Sequence, residues 1–192
     1  MGHREDLLDG AKRCLLEKGW RATARDIVAA SGTNLASIGY HYGSKDALMR
    51  EALFAAMGDW GDEMQAITES ALSGTASPAE RFATAWRVLS DLFDKHRTLW
   101  AANFEAVQRS DSDPQLRSAF VAAEREAQAG LVALFHGVPD SEVSEEDTAL
   151  YGPLYHLLVS GMVAQKTLNP DAEVSGENLI EAMRHIADRR RP

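Results

Sequence analysis

The strongest constraint on the fold is the order of helix-capping and helix-terminating residues in 23–48. Two short helices, a glycine turn and the start of a third helix are predicted within these 26 residues. Thr23 and Asp26 have a spacing close to that of a capping box, so a helix is predicted to begin there. Gly32 ends that helix, because glycine adopts the left-handed conformation without Cβ strain. Asn34 is a good N-cap for the next helix. Two short helices around such a turn form a helix-turn-helix.

The second helix of this unit is predicted to divide its side chains between core and solvent. Leu35 and Ile38 lie three residues apart and are predicted to pack inward. Because the second helix of a helix-turn-helix enters the major groove of DNA, the outward side chains are candidates for contacts with bases. The helix carries no Arg, so the sequence predicts no particular bidentate base contact. The outward positions are Ala36, Ser37, Tyr40 and His41.

A third helix is predicted to begin after Gly43. Ser44 is its expected N-cap, which places Lys45 in the first turn. A cation is locally unfavourable beside the N–H groups of a helix N-terminus. It becomes favourable when a phosphate group lies there, because the cation and the N–H groups then bind the anion together. Lys45 is therefore a candidate phosphate contact, with a solvated surface lysine as the alternative.

Residues 7–53 resemble the DNA-binding domain of the TetR family of bacterial transcriptional repressors. The resemblance implies that three side chains hold the phosphate backbone of double-stranded DNA and that residues 34–41 face the bases. The three phosphate-holding residues are Thr23, Tyr42 and Lys45, and the complete predicted DNA-binding set is Thr23, Asn34, Ala36, Ser37, Tyr40, His41, Tyr42 and Lys45. The matching segments are Lys18-Gly19-Trp20, Thr23, Ile27-Val28-Ala29, Ser31-Gly32 and the run from Tyr40 to Leu48.

The charge distribution is consistent with a DNA-binding N-terminal region. The chain has a formal net charge of −9 and an isoelectric point of about 5.1. Residues 1–50 hold 8 Lys and Arg against 6 Asp and Glu, whereas the remaining residues hold 12 against 23. Because the acidic remainder repels DNA, a role in coating DNA without sequence preference is disfavoured.

The rest of the chain is predicted to be helical as well. Alternating strand patterns and hairpin turns are absent, and breaks fall at Ser73–Pro78, Ser110–Pro114, His136–Ser144 and Asn169–Gly176. We therefore predict an all-α chain of about nine helices, in which a three-helix N-terminal head is joined by a long helix to a C-terminal helical bundle. The predicted domains are a helix-turn-helix DNA-binding domain at 1–50 and a helical ligand-binding and dimerisation domain at 51–192.

The sequence has no candidate membrane-spanning segment, no signal-peptide pattern and no second cysteine, which bears on where the protein is expected and on its redox chemistry. No apolar run approaches the roughly 20 residues of a membrane-spanning helix, and the N-terminus has no signal-peptide hydrophobic region. A cytoplasmic protein without a membrane partner is expected. Cys14 is the single cysteine, so it cannot form an internal disulfide, and it is predicted to be a small core residue rather than a redox sensor.

The last two predicted helices are candidates for self-association. Both are amphipathic, and such a pair from each of two chains can form a four-helix dimer interface. Packing within one chain is the alternative, since periodicity alone does not separate the two. The segment 158–170 resembles the dimerising helix of the family, which favours a homodimer that binds an inverted-repeat operator. The predicted interface residues are Leu154, Leu158, Gly161, Gln165, Leu179, Met183 and Ile186.

The same resemblance implies a small-molecule effector in the C-terminal region. A helical pocket lined by apolar groups and a few polar ones suits a hydrophobic or aromatic ligand. Ordinary core packing is the alternative for each candidate residue. The candidate lining consists of Trp86, Trp100, Asn103, Phe104, Phe120, Tyr151, Tyr155, His156 and Met162. Effector binding is expected to change the spacing of the two heads through the long helix.

Enzymatic function is disfavoured by the motif content. The chain lacks the glycine-rich phosphate and dinucleotide motifs, the Gly-x-Ser-x-Gly elbow and His-Glu-x-x-His. Its six histidines are scattered, with none three or four residues apart, so neither a metal site nor a cofactor is predicted. A third hypothesis is a dimeric helical module that binds a ligand or a protein without DNA activity. The presence of Thr23 and Lys45 argues against it.

Overall fold

The computed structural model describes residues 2–72 and 77–188, and every regular element in those ranges is helical. The all-α prediction is confirmed, and the described ranges contain nine α-helices. Residues 73–76 of the predicted break at Ser73–Pro78 lie outside the described residues. Single turns of 3-10 helix occur at Gly19–Arg21 and Asp140–Glu142. The α-helices are α1 (His3–Lys18), α2 (Ala24–Ser31), α3 (Leu35–Tyr42), α4 (Lys45–Ala71), α5 (Pro78–Lys95), α6 (Arg97–Arg109), α7 (Pro114–His136), α8 (Glu145–Leu168) and α9 (Gly176–Asp188).

The helix starts near the head follow the predicted caps. The Thr23 hydroxyl accepts a hydrogen bond from the Asp26 N–H at 3.2 Å, and the Asn34 side-chain oxygen accepts one from the Ser37 N–H at 3.1 Å. Ser44 caps α4 in the same way. Gly32 takes the left-handed conformation at the end of α2, with φ 68°. The helix-turn-helix is therefore specified locally, by short polar side chains and one glycine.

One compact unit comprises residues 2–62 and 96–120. Helix α6 packs against α1 and against the 3-10 turn that follows α1. The Trp20 indole N–H donates to the Ala102 carbonyl at 2.9 Å, which fastens that turn to α6. The helix-turn-helix is therefore packed together with α6 and the start of α7 in one unit. The largest fully buried side chains of this unit are Leu7, Leu15, Ile27, Leu48, Met49, Leu53 and Leu116.

The second compact unit comprises residues 63–72, 77–95 and 121–188. Helix α5 lies at its centre and packs against α8 and α9. The Trp86 indole N–H donates to the Val174 carbonyl at 2.6 Å. The buried Lys166 ammonium donates to the Asp94 carboxylate at 2.5 Å and to the Ser90 carbonyl at 3.3 Å, so its charge is compensated inside the unit.

The two units are defined by packing, and they do not test the functional division at residue 50, which stays a prediction. Their boundaries fall within α4 and α7 and between α5 and α6. Across 2–72 and 77–188, none of the helices has the length and apolar character that a membrane span requires.

Helices α1 and α2 approach each other closely at Gly10 of α1. A Cβ atom built on Gly10 would lie 2.7 Å from the Ser31 Cβ and 3.1 Å from the Ile27 carbonyl oxygen. We expect Gly10→Ala to lower the free energy of unfolding by about 1 to 3 kcal/mol, because α1 and α2 must separate to admit the methyl group. Thermal or urea unfolding measures the change.

Gly58→Ala is the matched control for this substitution. Gly58 lies inside α4, and a Cβ atom built there meets nothing within 4 Å. We expect the control to be neutral or to stabilise the protein by up to about 1 kcal/mol, because Ala favours a helix over Gly. Equal destabilisation by both substitutions would contradict the close packing of α1 on α2.

Candidate nucleic-acid interface

The N-terminus of α2 is held by a compact polar cluster. The Thr23 hydroxyl donates to Asp26 Oδ2 at 2.6 Å, and Lys18 Nζ lies 2.6 Å from Asp26 Oδ1. These hydrogen bonds, with Lys18 the largest contributor, hold the pKa of the Asp26 carboxyl well below its usual range. Because the single hydroxyl proton of Thr23 is given to Asp26, that hydroxyl must turn away from Asp26 before it can donate to a phosphate.

The backbone of the same turn keeps donors for an anion. The N–H groups of Ala24 and Arg25 lie in the first turn of α2, where a helix offers them no acceptor. The macrodipole adds partial positive charge at this end, and the Arg25 side chain is exposed. Asp26 satisfies the Thr23 N–H at 2.8 Å, so the remaining first-turn N–H groups are those that can face a phosphate.

Lys45 brings the start of α4 to the start of α2. Its ammonium lies 3.3 Å from the Ala22 carbonyl oxygen and 3.2 Å from Asp46 Oδ1, and its side chain is 30 % exposed. Thus Lys45 contacts the residue that precedes Thr23, and these two predicted phosphate contacts are brought together. The ammonium has a third proton and can bind a phosphate while it keeps the Ala22 contact.

Tyr42 has a structural partner that the sequence did not indicate. Its hydroxyl donates to the Arg4 carbonyl at 2.6 Å, and the Arg4 guanidinium lies 5.4 Å from the centre of the Tyr42 ring. Arg4 also pairs with Glu51 at 2.7 Å. Burial, with the nearby Glu51 charge, raises the pKa of the Tyr42 phenol. Tyr42 therefore ties the end of α3 to the start of α1, and Arg4 is an exposed cation beside it.

The predicted base-facing residues of α3 differ in accessibility. Ala36 is exposed and Tyr40 is 87 % exposed, whereas Ser37 and His41 are half-buried. The Tyr40 and His41 rings meet edge to face, with 4.8 Å between their centroids. Exposed Asn34 uses its side-chain oxygen as the α3 cap, which leaves its amide NH₂ as the group that can donate outward.

The prediction that Leu35 packs inward is wrong. Its side chain is 52 % exposed, whereas Ile38 is 4 % exposed. The physical reason is the length of α3, since an eight-residue helix that touches its neighbours along one stripe buries little beyond its centre. Leu35 lies in the first turn and remains accessible. Spacing alone did not distinguish the two positions.

The predicted effector residues are distributed over both units. Trp100, Asn103, Phe104 and Phe120 belong to the unit that contains the head, where Trp100 meets Trp60 and Phe120 meets Phe54 edge to face. The members in the second unit are Trp86, Tyr151, Tyr155, His156 and Met162. The predicted lining therefore combines residues of two packing units.

Part of the second group forms an aromatic cluster, which we define as Phe82, Trp86, Phe135, His136, Tyr151 and Tyr155. The Tyr155 ring lies 4.6 Å from the Phe135 ring and 6.2 Å from the Tyr151 ring. The Tyr155 hydroxyl is 3.1 Å from His136 Nε2, and burial raises the pKa of its phenol. Met162 is buried, and His156 Nδ1 lies 3.9 Å from Glu124.

A groove of about 280 Å³ in the second unit contains none of the predicted effector residues. It lies between the last turns of α4 and α5. Its lining consists of Ile67, Ala71, Arg87, Val88, Asp91, Leu92 and Lys95.

The predicted dimer residues lie on α8 and α9. Leu154, Gly161 and Gln165 are exposed on α8, while Leu158 is half-buried. On α9, Ile186 is exposed, and Leu179 and Met183 are half-buried. The structure adds three exposed leucines that share the face of Leu154, which follows from their spacing of three, four and seven residues. This α8 stripe consists of Leu150, Leu154, Leu157, Gly161 and Leu168.

Metal and thiol chemistry have no visible site in the part of the chain that is described. Residues 2–72 and 77–188 contain no group of three or more His, Cys, Asp or Glu side chains that could hold a metal ion. Cys14 is buried in the head, and burial raises the pKa of its thiol. It is therefore a protonated core side chain.

Comparison with known proteins finds a family match for the N-terminal part of the chain. Residues 7–52 match the model of the bacterial regulatory proteins of the tetR family. A comparison with curated proteins finds no significant match.

Solved structures share the fold along nearly the whole chain. A candidate transcriptional regulator from Rhodococcus sp. RHA1 has 21% sequence identity and a TM-score of 0.69, over 96% of this chain and 93% of its own. The multidrug binding protein EbrR, solved with proflavin, has 22% identity and a TM-score of 0.64, over 96% of this chain and 99% of its own. EbrR has also been solved with imidazole.

Proposed function

We propose that this chain, whose residues 7–52 match the model of the tetR family of bacterial regulatory proteins, is a dimeric repressor that leaves an inverted-repeat operator when a hydrophobic or aromatic ligand binds. The family match at residues 7–52 supports a DNA-binding regulator rather than an enzyme. The proposal rests on the arrangement of three helices. One side of α3 is exposed, and α3 directly follows α2. The N-terminal turn of α2 contacts the start of α4 through Ala22 and Lys45. Its place of action is the bacterial cytoplasm, where the DNA is.

The adjoining starts of α2 and α4 suit a phosphate group. They combine the N–H groups of Ala24 and Arg25, the positive ends of two helix dipoles and the Lys45 ammonium. Such contacts position a protein on DNA but carry no sequence information. In this proposal the bases are read by the exposed side chains of α3, and Thr23 and Tyr42 act mainly by holding α2 and α3 in place.

The α8 stripe supports a homodimer. Leu150, Leu157 and Leu168 are 64 %, 72 % and 87 % exposed, although large apolar side chains on one face favour burial. A second copy of the same face covers such a stripe in a two-fold symmetric dimer. Two heads related by that symmetry read half-sites in successive major grooves, roughly 34 Å apart, so the operator is an inverted repeat.

The aromatic cluster of the second unit supports an aromatic effector. It presents stacked rings together with the hydroxyl of Tyr155 and the imidazole of His136, a combination that suits a flat ligand with a polar edge. EbrR binds proflavin and imidazole in its solved complexes, and this chain shares its fold. An effector that prefers the DNA-free conformation lowers operator affinity by about 5- to 150-fold.

Proflavin is the first probe of the effector site, and its binding to the protein is measured without DNA because proflavin itself intercalates. We expect saturable binding by fluorescence anisotropy, and weaker binding by Tyr155→Phe, which removes only the hydroxyl paired with His136. Val107→Ala, at an exposed residue of α6 outside both the cluster and the α8 stripe, is the control. The effector proposal fails if neither proflavin nor a panel of aromatic compounds binds or changes operator affinity.

Selection of binding sites from a random duplex library tests the DNA-binding function. We expect wild type to enrich an inverted repeat and Lys45→Ala to bind it more weakly at every sequence. Because each dimer loses two cations near phosphates, the slope of log affinity against log salt should fall by about 2. Unfolding curves confirm that the variant is folded.

Arg87→Ala removes an exposed cation of α5 and is the control for overall charge. It should leave the salt slope unchanged. If Lys45→Ala and Arg87→Ala behave alike, the phosphate role of Lys45 is wrong. If wild type enriches no site, the alternative of a helical ligand- or protein-binding module without DNA activity is favoured.

Leu157→Glu tests the dimer. A carboxylate in the centre of the α8 stripe would be buried against an identical carboxylate in the symmetric dimer, so we expect monomers of 21.0 kDa by analytical ultracentrifugation. Val107→Glu introduces the same charge at a 48 % exposed apolar residue of α6 and should leave the assembly unchanged. A Leu157→Glu protein that is still dimeric would place the interface elsewhere.

A further inference from the structure

The exposed side of α3 is almost entirely apolar. Leu35, Ala36, Gly39 and Tyr40 are the exposed residues of this helix, and Leu35 and Tyr40 are 52 % and 87 % exposed. Their spacing of one, four and five residues places them on one side of the helix, opposite the buried Ile38. We call these four residues the α3 apolar face. It contains no charged side chain and a single polar atom, the Tyr40 hydroxyl.

Neither the backbone conformation nor the packing of the chain requires a glycine at position 39. Its φ is not positive, and a Cβ atom built on it meets nothing within 4 Å. Glycine in the middle of an exposed helix is less stable than alanine, because it loses more backbone freedom on folding. The bare backbone at Gly39 therefore permits a partner outside the chain to approach the helix closely.

The shape of the face narrows the choice of that partner. Ala36 and Gly39 are small and lie in sequence between the larger Leu35 and Tyr40, and we call the space between these two larger side chains the recess. Residues 35 and 40 are about 7.5 Å apart along the helix axis. A recess of that length fits one or two neighbouring bases.

The chemistry of the face selects the group that is bound. Phosphates require cations or N–H donors, and the edges of guanine, adenine and cytosine present hydrogen-bonding atoms in the major groove. The apolar group that DNA presents there is the C5-methyl of thymine. We propose that the α3 apolar face reads thymines in the operator by enclosing their C5-methyl groups between Leu35 and Tyr40, against the bare backbone of Gly39. This inference rests on the proposed function.

Replacement of thymidine by deoxyuridine in the operator tests whether the α3 apolar face contacts the thymine methyl group. Deoxyuridine keeps the base pairing and the O4 acceptor and removes only the C5-methyl. In the operator recovered by selection, each thymine is replaced symmetrically in both half-sites. At one or two positions we expect the dissociation constant to rise about fourfold per half-site, the effect of burying one such carbon. The salt slope should stay constant, because no phosphate contact changes.

Two variants test whether Leu35 and Gly39 contact the thymine methyl group. Leu35→Ala should bind the thymine operator more weakly and should lose most of its sensitivity to deoxyuridine at the position that Leu35 contacts, as in a double-mutant cycle. Gly39→Ala should keep or raise the melting temperature and yet lower operator affinity at least fivefold, because its methyl group fills the recess. Gly58→Ala should leave operator affinity unchanged.

The outcomes separate this inference from the function on which it rests. Failure to recover any operator overturns the proposed function and the inference with it. A specific operator whose affinity is indifferent to every thymine methyl overturns the inference alone. So does a Leu35→Ala protein that keeps the full deoxyuridine effect at every position, or a Gly39→Ala protein with unchanged affinity.

Discussion

The head depends on the docking of α3, which is too short to be helical by itself. Eight residues form barely two turns, and isolated helices of that length are unstable in water because nucleation is costly. In this structure Ile38 is the buried anchor of α3, Asn34 caps its first turn, and Tyr42 ties its end to the carbonyl of Arg4. The contacts that make α3 a helix therefore lie on one side and at the two ends, which leaves the opposite side open.

The polar residues of the head differ in what they can contribute, because most of their polar atoms already have partners within the chain. Thr23, Tyr42 and Lys45 all have partners within the chain, in Asp26, Arg4 and Ala22. A residue that fixes the backbone of α2 or α3 sets the position of the N–H groups and of the exposed side chains, even where its own polar atom is occupied. In the function that we propose, the three residues implied by the resemblance thus contribute to DNA binding first through position, and in the case of Lys45 also through charge.

Much of the fold was predictable because the ends of its helices are determined by residues at those ends. Gly32 and the N-caps Thr23 and Asn34 mark helix ends through their own conformational preferences, and the structure confirms them. Helices α5, α7 and α8 begin where the predicted breaks end, at Pro78, at Pro114 and directly after Ser144. What sequence did not predict depends on distant partners. Leu35 was assigned to the core because spacing does not show where a neighbouring helix ends, and the pairs Arg4–Tyr42 and Trp20–Ala102 join residues 38 and 82 positions apart.

The packing of α6 with the head bears on how an effector could act. Trp20 bonds to Ala102, the Arg109 guanidinium lies 5.1 Å from the Trp20 ring, and Arg50 of α4 pairs with Asp113 after α6. The chain passes between the two compact units at residues 62–63, 95–96 and 120–121. The effector signal that we propose therefore has three covalent routes to the unit that contains the head, of which α4 is one. Allosteric coupling requires that effector and operator prefer different conformations, and the packing of α6 on α1 joins one of these routes to the helix-turn-helix.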